Sequence, residues 1–176
     1  MSLEVKIALI VIASLLFLTI VFVSISTYKF KKFNKRIENK LHAVNVLLAQ
    51  KYDILLLLAK LLKKNKIKIP SEFEEELSPS MNENLKKLTF TERLTVRSYL
   101  MKASQSVIYY AEQNQSICED NEYLVLKKML VELDDDYRKA VALYNADALG
   151  FNYWSHFFLF RLTAKILRLQ DKEIIK

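Results

Sequence analysis

The run IALIVIASLLFLTIVFVSIST, from Ile7 to Thr27, limits what this chain can become more than any other feature, because it holds 21 residues without a charge. At about 1.5 Å of rise per residue, a helix of that length spans roughly 30 Å, the hydrocarbon thickness of a bilayer. Ser24 and Ser26 have the spacing of a signal-peptidase site. The apolar run nevertheless outlasts the usual signal core of about 7 to 15 residues, so the expectation is a retained transmembrane anchor over residues 1–27.

Charge flanks this run unevenly. Ahead of it stand only Glu4 and Lys6, while YKFKKFNKRIENK behind it supplies Lys29, Lys31, Lys32, Lys35, Arg36 and Lys40 against Glu38. Cytoplasmic flanks are the ones enriched in Lys and Arg, so the bulk of the chain is expected in the cytosol. The formal net charge of +7 therefore has a location. Most of the excess lies beside the anchor and in the last twenty residues, and the middle is close to neutral. A nucleic-acid partner calls for a basic stripe on the domain face. A basic collar beside a membrane span instead suits anionic lipid headgroups, at about 1 kcal/mol per basic residue.

One Gly, two Pro and 52% hydrophobic residues leave little material for tight turns, so few and long elements are expected. LHAVNVLLAQKYDILLLLAKLL places Leu41, Val44, Leu48, Leu55, Leu58 and Leu62 at helical spacing, with a slip around Lys51, and no breaker separates it from the anchor. The spacing predicts one helix from about residue 4 to about residue 66. A loop at about 67–80, holding Pro70 and Pro79, follows it. A second helix starts after Ser80, which has capping-box spacing to Glu83, or after Thr91. Leu94, Tyr99 or Leu100, Ala103, Val107 and Tyr110 or Ala111 make its apolar stripe. A third keeps Leu126, Leu130, Leu133, Tyr137, Ala140, Tyr144, Ala148 and Phe151 on one seam. The expected fold is all-α: a transmembrane helix continuing into an elongated antiparallel helical bundle over residues 28–176.

The segment AEQNQSICEDNEYLVLKKMLVELDDDYRKAVALYNADALGFN resembles the core of the LemA family, in which an acidic helix end, an Asn-rich cap, an aromatic-Leu-x-Leu start and a YN-x5-aromatic-Asn helix end follow in order. Ala111-Glu112, Asp120 to Glu122, Tyr123 to Leu126, Tyr144-Asn145 and Phe151-Asn152 stand at those places. Lys51, Asp53 and Ile54 are similar to the family's first-helix motif, and an N-terminal membrane helix agrees with it. Asn114 to Ile117 replace the family's usual Tyr-Pro-Asp-Leu, which marks a divergent member. The resemblance implies a bacterial cell-membrane protein, single-pass, that engages other membrane proteins and works as a scaffold or adaptor; it leaves homo-oligomerisation open.

Residues seven apart return to nearly the same helix face, so Tyr144 and Phe151 belong to the seam while Asn145 and Asn152 lie along its edge. The expectation is packing and register, with a partner-binding surface as the alternative for these four residues. Catalysis finds no constellation. His42 and His156 lie on different elements without acidic or thiol neighbours at metal spacing, and no phosphate loop or nucleophile elbow exists. Asp134, Asp135 and Asp136 fan around a helix and read as a solvated face paired with Arg138 and Lys139. The protein is therefore read as non-enzymatic and without a cofactor.

In SHFFLFRLTAKILRLQDKEIIK, Arg161, Lys165, Arg168 and Lys172 fall within an arc of roughly 60° if the helix continues throughout, opposite Phe158, Leu159, Phe160, Leu162, Ile166, Leu167 and Leu169. Such a helix suits a membrane interface. If each connection reverses direction, however, this segment starts far from the anchor, and the expectation is a helix packed within the bundle. The competing function is a lipid-binding or membrane-shaping module acting through these residues together with Lys29, Lys31, Lys32, Lys35 and Arg36.

Overall fold

The structure, a computed structural model, describes residues 2–68 and 90–175. Every regular element among them is helical: α1 Leu3–Lys64, α2 Phe90–Glu112, α3 Gln115–Cys118, α4 Asn121–His156 and α5 Phe158–Ile166. The expected all-α fold is what forms. The expected loop at 67–80 and the Ser80–Glu83 capping box fall almost wholly outside the described residues.

α1 runs for 62 residues because nothing in it stops a helix; Gly and Pro are absent from Leu3 to Lys64. Its end is a Schellman motif. Lys66 takes the left-handed conformation, φ 59°. The Lys66 N–H then donates to the Lys63 carbonyl at 3.0 Å and the Ile67 N–H to the Leu62 carbonyl at 3.0 Å. α4 begins with a side-chain cap: the Asp120 carboxylate accepts from the Glu122 and Tyr123 backbone N–H groups at 2.7 and 3.3 Å.

The chain divides into two compact units, Asn39–Tyr144 with Ile175–Lys176, and Met1–Glu38 with Asn145–Ile174. In the first, Val44, Leu48, Tyr52, Leu55, Leu58 and Leu62 from α1 are buried. So are Leu100, Ala103, Val107 and Ala111 from α2, and Tyr123, Leu126, Leu130, Tyr137 and Tyr144 from α4. Within this unit Lys51 meets Asp134 at 2.6 Å and Lys40 donates to the Leu143 carbonyl at 3.2 Å, so α4 runs antiparallel to α1. Arg97 lies over the Tyr137 ring at 5.4 Å and Lys127 bonds Glu112 at 2.6 Å, so α4 is antiparallel to α2 as well. The same carboxylate holds the Lys127 ammonium pKa above its usual value. It follows that α2 runs in the same direction as α1. This corrects the expectation that each connection reverses direction.

The acid run is also corrected in part. Asp135 and Asp136 do pair with Arg138 and Lys139, at 3.9 and 3.1 Å. Asp134 instead reaches across to Lys51, whose side chain is only 7% exposed. Lys51 stands between Leu48 and Leu55 at core spacing, so the slip in the apolar pattern was the sign of a buried cation.

In the second unit, Phe30 and Ile37 of α1 are buried with Ala148 and Phe151 of α4 and Ala164 of α5. α4 runs antiparallel to α1 here too: Arg36 bonds Asp147 at 2.8 Å, Phe30 meets Phe151 edge-on at 5.7 Å, and Phe22 stacks on Phe160 at 5.5 Å. Gly150 makes the approach close, since a Cβ there would lie 3.3 Å from the Phe33 ring. Residues Leu3 to Phe22 of α1 are exposed throughout, and an 18-residue window of the helix has a mean hydropathy of 2.9 with none of it buried. By length and composition that stretch could cross a membrane.

Candidate functional site

The unit of residues 1–38 and 145–174 gathers most of the residues the sequence marks out. α4 does not stop near Gly150 or Asn152 but continues to His156. Phe157 has an extended backbone, φ −62° and ψ 134°, and α5 follows for nine residues. α5 then closes with a second Schellman motif. Arg168 is left-handed at φ 50°, its N–H donates to Lys165 at 3.1 Å, and the Leu169 N–H donates to Ala164 at 3.0 Å.

This end changes the basic stripe. Arg161 and Lys165 lie on α5 and are exposed, Arg168 lies in the turn beyond it, and Lys172 lies in the non-helical tail. The four do not share one helix face, because the helix stops at Ile166. Non-Gly residues pay about 1 to 2 kcal/mol to adopt the left-handed conformation. Arg168→Gly is therefore expected to raise stability by about 1 kcal/mol. In thermal melts of the detergent-solubilised chain this is a rise of roughly 2 to 4 °C; an unchanged or lowered Tm would remove the strained cap from the account.

The tail returns to α4 and explains one member of the aromatic-Asn repeat. The Asn152 side-chain amide donates to the Lys172 carbonyl at 2.9 Å and accepts from the Lys172 N–H at 2.7 Å. A carboxamide has one acceptor and one donor edge, so it reads both backbone groups of a single residue and fixes the register of the tail. Lys172 places its Nζ 5.4 Å from the Phe151 ring centroid, and His156 Nε2 meets the Asp171 carboxylate at 2.9 Å. Phe151 is 1% exposed, and it lies edge-on to Phe30 at 5.7 Å and Phe33 at 5.9 Å. Tyr144, one heptad earlier, is buried in the other unit, and Asn145 is half-buried.

The collar also divides. Lys29, Lys31, Lys32 and Lys35 are exposed. Arg36 is engaged within the protein, with its guanidinium 4.6 Å from the Phe33 ring and paired to Asp147. Lys172 is likewise tied down through its backbone and its ring contact.

α5 shows the clearest difference from expectation. Thr163 and Ala164 are its buried residues, while Phe158 is 74%, Leu162 57% and Ile166 59% exposed. The wide apolar face is not packed between bundle helices. Next to it, Trp154, Phe157 and Phe160 form a ring cluster with Tyr153, with Trp154 edge-on to Phe160 at 5.6 Å. Phe160 in turn stacks on Phe22, inside the uncharged run of α1. Sequence reasoning missed this placement because it depended on the direction of α2.

The fold and this site define an all-α chain in which an uncovered apolar helix, an aromatic cluster and a short apolar-faced helix lie side by side. No protein-family model, curated protein or solved structure matches the chain.

Proposed function

We propose that this protein is a non-enzymatic, single-pass membrane protein whose helical bundle acts in the cytosol as a scaffold or adaptor for other membrane proteins, on the pattern of the LemA family that its sequence resembles. The observation that carries the reading is α1 itself. One helix passes without a break from an apolar stretch, Leu3 to Val21, that is exposed among the described residues to the buried residues Val44, Leu48, Leu55, Leu58 and Leu62. An exposed apolar surface of that length is far larger than a water-soluble chain leaves open, and the Lys29 to Lys35 collar that follows supports a cytosolic bundle.

The reading is tested by topology. In a Cys118→Ala background, Asn65→Cys is expected to resist a membrane-impermeant maleimide in intact cells and to react once the membrane is permeabilised. Labelling in intact cells would place the bundle outside.

A second reading is favoured by α5. Its exposed apolar face lies beside Phe22, so contact of this helix with the bilayer surface no longer conflicts with the chain's direction. Trp154 and Tyr153 are the residue types that settle at membrane–water boundaries. Lipid contact and scaffolding are compatible in one molecule, since the residues that support lipid contact lie in one unit and the larger packed core lies in the other.

A further inference from the structure

A cavity of about 270 Å³ lies in the unit of residues 1–38 and 145–174, walled by Ser26, Lys29, Phe30, Phe33, Trp154 and Phe160. Four of its six lining residues are aromatic, and no carboxylate is among them. Ser26 is 1% exposed, and its hydroxyl has no hydrogen-bond partner among the described residues. By contrast, Ser14, Thr19 and Ser24 of the same helix each return their hydroxyl to the carbonyl four residues earlier, at 2.8 Å. A buried hydroxyl left without a partner calls for one. Lys29, one turn further along α1, is exposed and supplies the cavity's cation.

We infer that this cavity holds part of one acyl chain of an anionic phospholipid, with Lys29 on the headgroup phosphate and the Ser26 hydroxyl donating to a lipid oxygen. The volume falls just short of the range of drug-sized ligand sites, which begins at about 300 Å³, so it takes part of one hydrocarbon chain and excludes a bulky cofactor. The aromatic walls match the chain, and the lysine with no facing carboxylate matches the phosphate. Phospholipid is the occupant because Phe22, which stacks on the wall residue Phe160, belongs to the apolar stretch proposed to cross the bilayer. The inference rests on that membrane reading.

Trp154 lines the cavity and is the chain's only tryptophan, so its fluorescence reports on the site alone. The full chain is reconstituted in phosphatidylcholine vesicles doped with either brominated phosphatidylglycerol or brominated phosphatidylcholine at equal bromine content. Brominated phosphatidylglycerol is expected to quench Trp154 with about fivefold higher apparent affinity, the effect of one lysine at the lipid surface. Ser26→Leu changes no charge but fills the cavity, and should bring the two lipids level; Lys29→Gln should do the same. Lys31→Gln, with its side chain on another face of α1, should keep most of the preference. Equal quenching by both lipids in the unaltered chain would overturn the inference. So would a preference that survives Ser26→Leu, or one that Lys31→Gln lowers as much as Lys29→Gln, since each describes a diffuse collar. Resistance of the vesicle-bound chain to carbonate extraction tests the anchor by itself. Failure there overturns the proposed function and this inference together, whereas an anchored chain without lipid preference overturns only the inference.

Discussion

Phe151→Ala is expected to destabilise the protein by about 3 to 5 kcal/mol, the cost of deleting a buried aromatic ring and leaving a cavity in its place. The ring is 1% exposed, touches Phe30 and Phe33 edge-on, and carries Lys172 near its face, so its removal takes several contacts at once. The neighbouring Asn152→Ala removes two hydrogen bonds to the tail, each worth about 0.5 to 1.5 kcal/mol, and should cost about 1 to 3 kcal/mol. Chemical denaturation of the detergent-solubilised chain, followed by circular dichroism, measures both. The mechanism predicts different signatures: Phe151→Ala loosens the packing of α1 against α4, whereas Asn152→Ala frees residues 169–175 to proteolysis with the helices intact. A Phe151→Ala protein as stable as the parent would mean that this residue serves a partner rather than the fold.

Asp134→Ala is expected to cost about 3 kcal/mol, because it strands the Lys51 ammonium in a side-chain environment only 7% exposed. The usual cost of breaking a buried pair is about 3 to 5 kcal/mol. Its lower end applies because Asp134 is itself 38% exposed, so water reaches the pair. Arg97 and Arg138 line the same small cavity as Lys51 and Asp134, so the loss of this carboxylate also concentrates positive charge there. Lys51→Met has a different outcome. It fills the same space with an apolar chain and leaves a half-exposed aspartate, so it should change stability by less than about 1 kcal/mol. The double variant should resemble Lys51→Met, and the coupling between the two sites measures the pair. A double variant as unstable as Asp134→Ala would show that the aspartate acts through something other than Lys51.

The two sites differ in how plainly the sequence displayed them. Apolar spacing marked Val44, Leu48, Leu55, Leu58 and Leu62, and it marked Leu126, Leu130, Tyr137, Tyr144, Ala148 and Phe151, all of them buried, whereas Leu41, Leu133 and Ala140, marked by the same spacing, are half-buried. Periodicity finds such residues because burial of a helix stripe is a local property of each helix. The end of α5 was hidden for a chemical reason. Helix stops are usually announced by Gly at the left-handed position, but here Lys66 and Arg168 occupy it, and the chain's single Gly lies inside α4 against Phe33. Without that signal, Arg161, Lys165, Arg168 and Lys172 read as one continuous stripe. The direction of α2 was hidden for a different reason, since it depends on which buried faces meet and not on any one helix. The tail clamp of Asn152 on Lys172 depends on the early end of α5, and only the Asn itself was visible in advance.

The pairing of α4 with α1 also sets a timetable. Arg36 and Asp147 are 111 residues apart in the chain, and Phe30 and Phe33 meet the Phe151 ring across a similar separation. At a synthesis rate of about 5 to 20 residues per second, that side of α1 waits on the order of ten seconds for its mates. Contacts so distant in sequence are also slow to form once the segments exist. During that interval the nascent chain presents an aromatic, basic-edged helix with nothing of its own to cover it, a stage at which lipids or chaperones have first access and at which premature release leaves a chain prone to aggregate.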